Sequence, residues 1–112
     1  IDESTLGGIQ EGILFEVDSD STSDICSGRS SQALYYATTG SSSNDPGIYP
    51  FYGNNLQLFQ GNVVYLEPAL TNFISSGKYA SYVADGKVRV VDINSNGVVT
   101  SAEDVDFVDG DC

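Results

Sequence analysis

The sequence predicts an all-β domain, a small antiparallel sandwich or barrel of short strands and hairpins. Three observations carry this. From Ile48 onward the chain is a run of short apolar bursts separated by Gly, Asn, Asp and Ser. Twelve glycines, but only three prolines, supply turn chemistry throughout the 112 residues. Val and Tyr are frequent in the bursts, and both favour a pleated, half-buried surface. A chain of this length suits one domain.

Residues 1–8, IDESTLGG, read as an N-terminal arm or linker that reaches outside its own domain, and residues 9–112 as the single β domain. IQEGILFEV at 9–17 is a first strand with Ile13, Phe15 and Val17 on one face. DSDSTSD at 18–24 reads as a solvated polar loop. SQALYYATT at 31–39 reads as a strand, and GSSSNDPG at 40–47 as a loop. The bursts that follow are IYPFY, LQLF, VVYL, KYASYV, KVRVVDI and GVVTS. At most one short helix is expected, near 68–76 in PALTNFISS. There Leu70, Phe73 and Ile74 have i, i+3, i+4 spacing, Pro68 suits a first turn, and Gly77 ends it.

Composition narrows the function classes. Four basic residues face sixteen acidic ones, for a formal net charge of -12. Phosphate binding needs a basic stripe, so nucleic acid is not expected as a partner. Anionic membrane surfaces are disfavoured for the same reason, and no apolar run is long enough to insert in a bilayer. The chain opens at Ile1 and contains no Met, so a processed form, a fragment or a sequence lacking its initiator is expected. A missing secretory signal therefore says nothing against secretion.

Two cysteines, Cys26 and Cys112, form an even pair in a small acidic chain. A Cys26–Cys112 disulfide is expected, tying the C-terminus to the first quarter of the chain. In the chain-entropy model, closing so long a loop stabilises by about 4–5 kcal/mol, less any strain.

DINSNGVVTSAE at 92–103 matches the spacing of an EF-hand loop. Asp92, Asn94 and Asn96 stand at positions one, three and five, with Gly97 at six and Glu103 at twelve. An EF-hand also needs a helix on each side. The preceding VADGKVRVV, with Gly86 and four valines, argues for hairpin and strand instead. A three-residue loop Ser95-Asn96-Gly97, with Gly97 left-handed, pairs Ile93 with Val99 and Asp92 with Thr100. Val91, Ile93 and Val99 then share a face. The hairpin is preferred. The alternative is a calcium site on Asp92, Asn94, Asn96 and Glu103, with affinity on the order of 10⁻⁴–10⁻³ M. No other cofactor is expected.

Catalytic signatures are lacking in the sequence. Without His there is no Ser-His or Cys-His pair. Sixteen carboxylates in so small a chain bring some pair together by chance, so proximity alone does not argue for a glycosidase. A non-enzyme is expected. Some of the seven Tyr and five Phe suit sugar stacking or packing against a partner.

One pattern runs through the second half. Tyr52-Gly53-Asn54 is followed by Gly61-Asn62-Val63-Val64-Tyr65 and Ala69-Leu70-Thr71. Then come Gly77-Lys78-Tyr79, Asp85-Gly86, a Val-rich strand, Gly97-Val98-Val99-Thr100-Ser101 and Cys112. This resembles a small β-rich module of marine tailed-phage virion proteins, chiefly tail-fibre and other appendage proteins. It is also similar to modules in Bacteroidetes cell-surface proteins. The resemblance spans about Cys26 to Cys112. This sequence departs from it between Tyr79 and Gly86, and in its longer, more acidic end after Ser101. Residues 1–20 have no counterpart.

The resemblance implies a virion or extracellular structural role without catalytic residues, and a strand–turn–strand at 92–103. The leading expectation is a capsid-decoration, tail or fibre component of a phage particle, contacting copies of itself or other structural proteins. The alternative is an extracellular adhesion or filament subunit of a prokaryote, with calcium as a stabiliser. A third reading is a carbohydrate-binding module that contacts glycans through exposed Tyr or Phe.

Overall fold

The computed structural model describes residues 9–38 and 54–108. The arm at 1–8, the loop at 40–47, the burst IYPFY and Cys112 lie outside the described residues. Within them the chain forms β1 (Ile9–Val17), α1 (Thr22–Gly28), a 3₁₀ turn (Arg29–Ser31) and β2 (Ala33–Thr38). After these come β3 (Val64–Tyr65), β4 (Gly77–Ala84), β5 (Lys87–Ile93) and β6 (Val99–Asp106). The all-β expectation holds. No helix among the described residues is long and apolar enough to cross a membrane.

The six strands form one antiparallel sheet in the order β3-β2-β1-β4-β5-β6. β1 changes partner along its length. Ile9–Leu14 pair with β2, and Phe15–Val17 pair with β4. Where it changes over, the Ile13 N–H donates to the Asn54 carbonyl at 2.7 Å, and the Leu56 N–H to the Ile13 carbonyl at 3.0 Å. The sheet curls there into a half-barrel. Its ends are stitched by the Val64 N–H to the Gly97 carbonyl, and by the Val99 N–H to the Asn62 carbonyl, both 2.8 Å.

Two cores result. Inside the curl, Leu14, Leu56, Leu58 and Val64 meet Tyr79, Val91, Ile93 and Val99. On the other face Phe15, Val17, Ala80, Val88 and Val90 pack under Ile25 of α1 and Phe107. β5 therefore sends Val88 and Val90 one way and Val91 and Ile93 the other. This is why KVRVVDI carries apolar residues at both odd and even positions instead of a strict alternation. β1 is likewise buried on both sides. Leu14 joins the inner core while Phe15 and Val17 join the outer one. Phe15 and Val17 share a face as the sequence suggests, Leu14 adds a second buried face, and Ile13 is only half-buried.

The helix expected near 68–76 does not form. That stretch is a tight hairpin in which Phe73 pairs with Tyr65 and the Leu66 N–H donates to the Asn72 carbonyl. Two features outcompete the helix. The Glu67 carboxylate accepts from the backbone N–H groups of Thr71 (2.8 Å) and Asn72 (3.1 Å), and Leu70 adopts φ 57°. A residue in that left-handed region ends any helix through it.

The helix lies instead at α1, which begins at the end of the 18–24 stretch read as a polar loop and runs on to Gly28. Ser21 caps it by accepting from the Asp24 N–H, and Ile25 is its buried anchor. LQLF at 56–59 is not a ladder strand but an extended crossing. It is held by Ser81 Oγ donating to the Leu56 carbonyl (2.7 Å) and by Arg89 donating to the Leu58 carbonyl (3.1 Å).

Candidate functional site

The stretch 92–103 is the β5–β6 hairpin. Asn94 shapes its turn. Its backbone N–H donates to the Val98 carbonyl, and its side-chain Oδ1 accepts from the N–H groups of Asn96 (2.9 Å) and Val98 (3.1 Å). Gly97 has φ +75° and donates to the Asn94 carbonyl. Ile93 pairs with Val99 as the sequence suggests. Asp92 faces Ser101 rather than Thr100, because a bulge beside Ile93 inserts one extra residue on β6.

The four calcium candidates are thus distributed over a strand, a turn and a second strand. Asp92 Oδ1 binds the Lys78 ammonium at 2.7 Å and Oδ2 accepts from Ser101 Oγ at 2.7 Å. These partners, Lys78 first, hold the Asp92 carboxyl below the usual carboxylate range. Asn94 Oδ1 is occupied by backbone donors. Asn96 is an exposed turn residue, and Glu103 sits on β6 opposite Val90.

Asp92 and Glu103 do share a small hollow of about 50 Å³ with Asp20, Lys78, Val90 and Ser101. The Lys78 ammonium there takes the position on Asp92 that a cation would occupy. Among the described residues no group of three or more His, Cys, Asp or Glu side chains is arranged to hold a metal ion.

Two further cations, Arg89 and Lys87, belong to this hairpin. Arg89 donates through Nε (2.7 Å) and Nη2 (3.2 Å) to the two oxygens of Asp104, and lies 4.8 Å over the Phe59 ring. Lys87 binds Asp106 at 2.6 Å. Arg89 and Lys87 lower the carboxyl pKa values of Asp104 and Asp106 respectively. β6 is therefore an acidic strand whose inner side is tied down by three cross-strand contacts. Its side chains from Thr100 to Asp104 are exposed. Its outer backbone edge meets no further strand among the described residues.

A second surface feature is the 65–73 hairpin. Tyr65 and Phe73 rings lie 5.3 Å apart, and Phe73 and Leu66 are each about half exposed. Glu67 rigidifies the loop, and the Thr71 N–H is the chief cause of its lowered carboxyl pKa.

Cys26 is half-buried against the outer core, and there is no free cysteine among the described residues. Since Cys112 lies outside them, the Cys26–Cys112 pairing stays a sequence-based expectation.

Sequence reading missed Lys78, Arg89 and Glu67 as organisers. Only Lys78 and Arg89 left a trace, as rare cations on strands flanking the Asp85-Gly86 turn. No family model, no curated protein and no solved structure matches this chain.

Proposed function

We propose that this chain is a non-enzymatic structural and assembly protein of a phage particle, a capsid-decoration, tail or fibre component that works through protein–protein contact. The observation that carries the reading is β6. Its charged side chains lock the hairpin internally, while its outer edge beyond Val99 has no strand partner among the described residues. Such an edge is a template for association. The resemblance to phage appendage modules supplies the setting, virion or extracellular.

One observation favours a second reading, a glycan-binding module. Phe73 is half exposed beside Tyr65 on a loop made rigid by Glu67. Aromatic faces held this way suit a sugar ring. The two readings separate by imaging. An antibody raised against the chain should decorate purified particles from the source culture at regular, repeated positions. Labelling confined to cell-surface filaments would move the reading to an adhesion or filament subunit. Absence of the chain from both, with glycan binding by the isolated monomer, would overturn the structural role.

A further inference from the structure

The sheet has two terminal strands, and they differ. The outer side of β3 is covered, since Val64 donates to the Gly97 carbonyl and accepts from the Ile74 N–H at 3.1 Å. Among the described residues β6 is covered only at its start, where the Gly61 N–H donates to the Val99 carbonyl and the Val99 N–H to the Asn62 carbonyl. Beyond that point the direction of its backbone groups follows from Phe107, whose N–H points inward to the Gly86 carbonyl at 2.8 Å. Strand alternation then turns the N–H and C=O groups of Ala102, Asp104 and Asp106 outward.

We infer that this edge receives an extended, lysine- or arginine-bearing strand from a different protein, an inference that rests on the contact-based reading above. Charge selects the occupant. β6 carries Glu103, Asp104 and Asp106 on a chain of net charge -12. Two β6 edges laid together bring carboxylates against carboxylates, and like charges across a strand pair are destabilising. Nor does another part of a second copy supply a basic strand. The chain has four Lys and Arg in all. Lys78, Lys87 and Arg89 already bind Asp92, Asp106 and Asp104, and Arg29 lies in the 3₁₀ turn.

The same charges that reject a copy admit a basic strand. Lysines at alternate positions fall beside Asp104 and Asp106, the latter with 87% of its side chain exposed. The intervening apolar residues fall on the side of Val105, which packs against the outer core.

The test uses the whole chain and three capped eight-residue peptides. One alternates Val and Lys, one is the same peptide N-methylated at every second residue, and one replaces Lys with Glu. Calorimetry should show the Val-Lys peptide binding at least tenfold tighter than either control. It should slow amide exchange of Ala102, Asp104 and Asp106 at least tenfold. Ala102→Pro removes one outward donor without touching an ion pair, and should weaken binding at least tenfold with little change in Tm.

Equal binding of the N-methylated peptide would reduce the effect to general attraction by an acidic surface. No binding, or a chain dimer that protects the same amides, would equally overturn the inference. Peptide failure with particle labelling intact discards the edge alone, whereas peptide binding without labelling discards the particle.

Discussion

Gly97→Ala tests how tightly the half-barrel is closed. Gly97 is buried at φ +75°, and a Cβ built there lies 2.9 Å from the Val64 carbonyl oxygen and 2.9 Å from Phe73 Cδ1. The Val64 oxygen is fixed, because it accepts from Ile74 while the Val64 N–H binds the Gly97 carbonyl. Two costs therefore add. A left-handed backbone costs a non-glycine residue about 1 kcal/mol. Crowding against a fixed backbone atom costs about 1–3 kcal/mol more. The sum, about 2–4 kcal/mol, corresponds to a drop in Tm of roughly 8–16 °C for a domain of this size.

Gly86 is the internal control. It has φ +76° and open space where its Cβ would stand. Gly86→Ala should cost about 1 kcal/mol, the backbone contribution alone. Effects on the unfolded chain are the same for both substitutions and cancel in the difference. Urea melts of the parent and the two variants measure that difference, expected to be about 1–3 kcal/mol. Equal losses for the two glycines would show that Phe73 and Val64 yield freely, and the tight-closure argument would fail.

Glu103→Gln should leave Tm unchanged with either chelator or millimolar calcium, since Asp92 is engaged by Lys78 and Ser101. A calcium-dependent rise in the parent that the variant loses would restore the cation site. Burial first, then the negative charge of Glu16, pushes the Tyr79 phenol up from 10.0 to about 12. The folded state thus favours the neutral phenol, so this contribution is fully present below pH 10 and declines as pH rises towards 12. Tyr79→Phe should remove that part of the alkaline fall in stability, and an unchanged alkaline limb in the variant would count against it. Non-reducing peptide mapping should recover the Cys26 and Cys112 peptides joined, and free-thiol labelling of both in the folded protein would exclude the pairing.

Most strands were legible because their signals are local. β1 has the bounds its apolar run suggested, and the Asp85-Gly86 turn announces β4 and β5. The bulges were not legible. Counting outward from that turn puts Ile93 opposite Lys78. An irregularity between Tyr82 and Ala84 moves the partner to Asp92 and so creates the ion pair. A second bulge sets Ser101 rather than Thr100 against Asp92.

The misplaced helix has a different cause. The 68–76 stretch has helical spacing, but a carboxylate outside it, Glu67, captures the Thr71 and Asn72 N–H groups that a helix would pair with carbonyls four residues earlier. Ser21 and Asp24, by contrast, have the spacing of a helix N-cap followed by apolar Ile25, and that signal was present in the letters. The candidate calcium residues were correctly placed on a hairpin. The engagement of Asp92 by Lys78 depends on β4, which no pattern within 92–103 reveals.

The division of β1 between two partners has a kinetic consequence. β4, β5 and β6 follow one another through short turns, so their ladder closes small loops. β1 meets β4 only when Phe15 finds Ala80, 65 positions away. Closing that span costs entropy before any contact offsets it. The 77–106 meander is therefore expected to be organised in the folding transition state, with the first strand docking late. Val91→Ala should slow folding, whereas Phe15→Ala should chiefly speed unfolding, and stopped-flow chevrons with the reverse pattern would refute this order. A junction that closes last also opens first, so the earliest opening of this domain exposes the facing edges of β1 and β4 together.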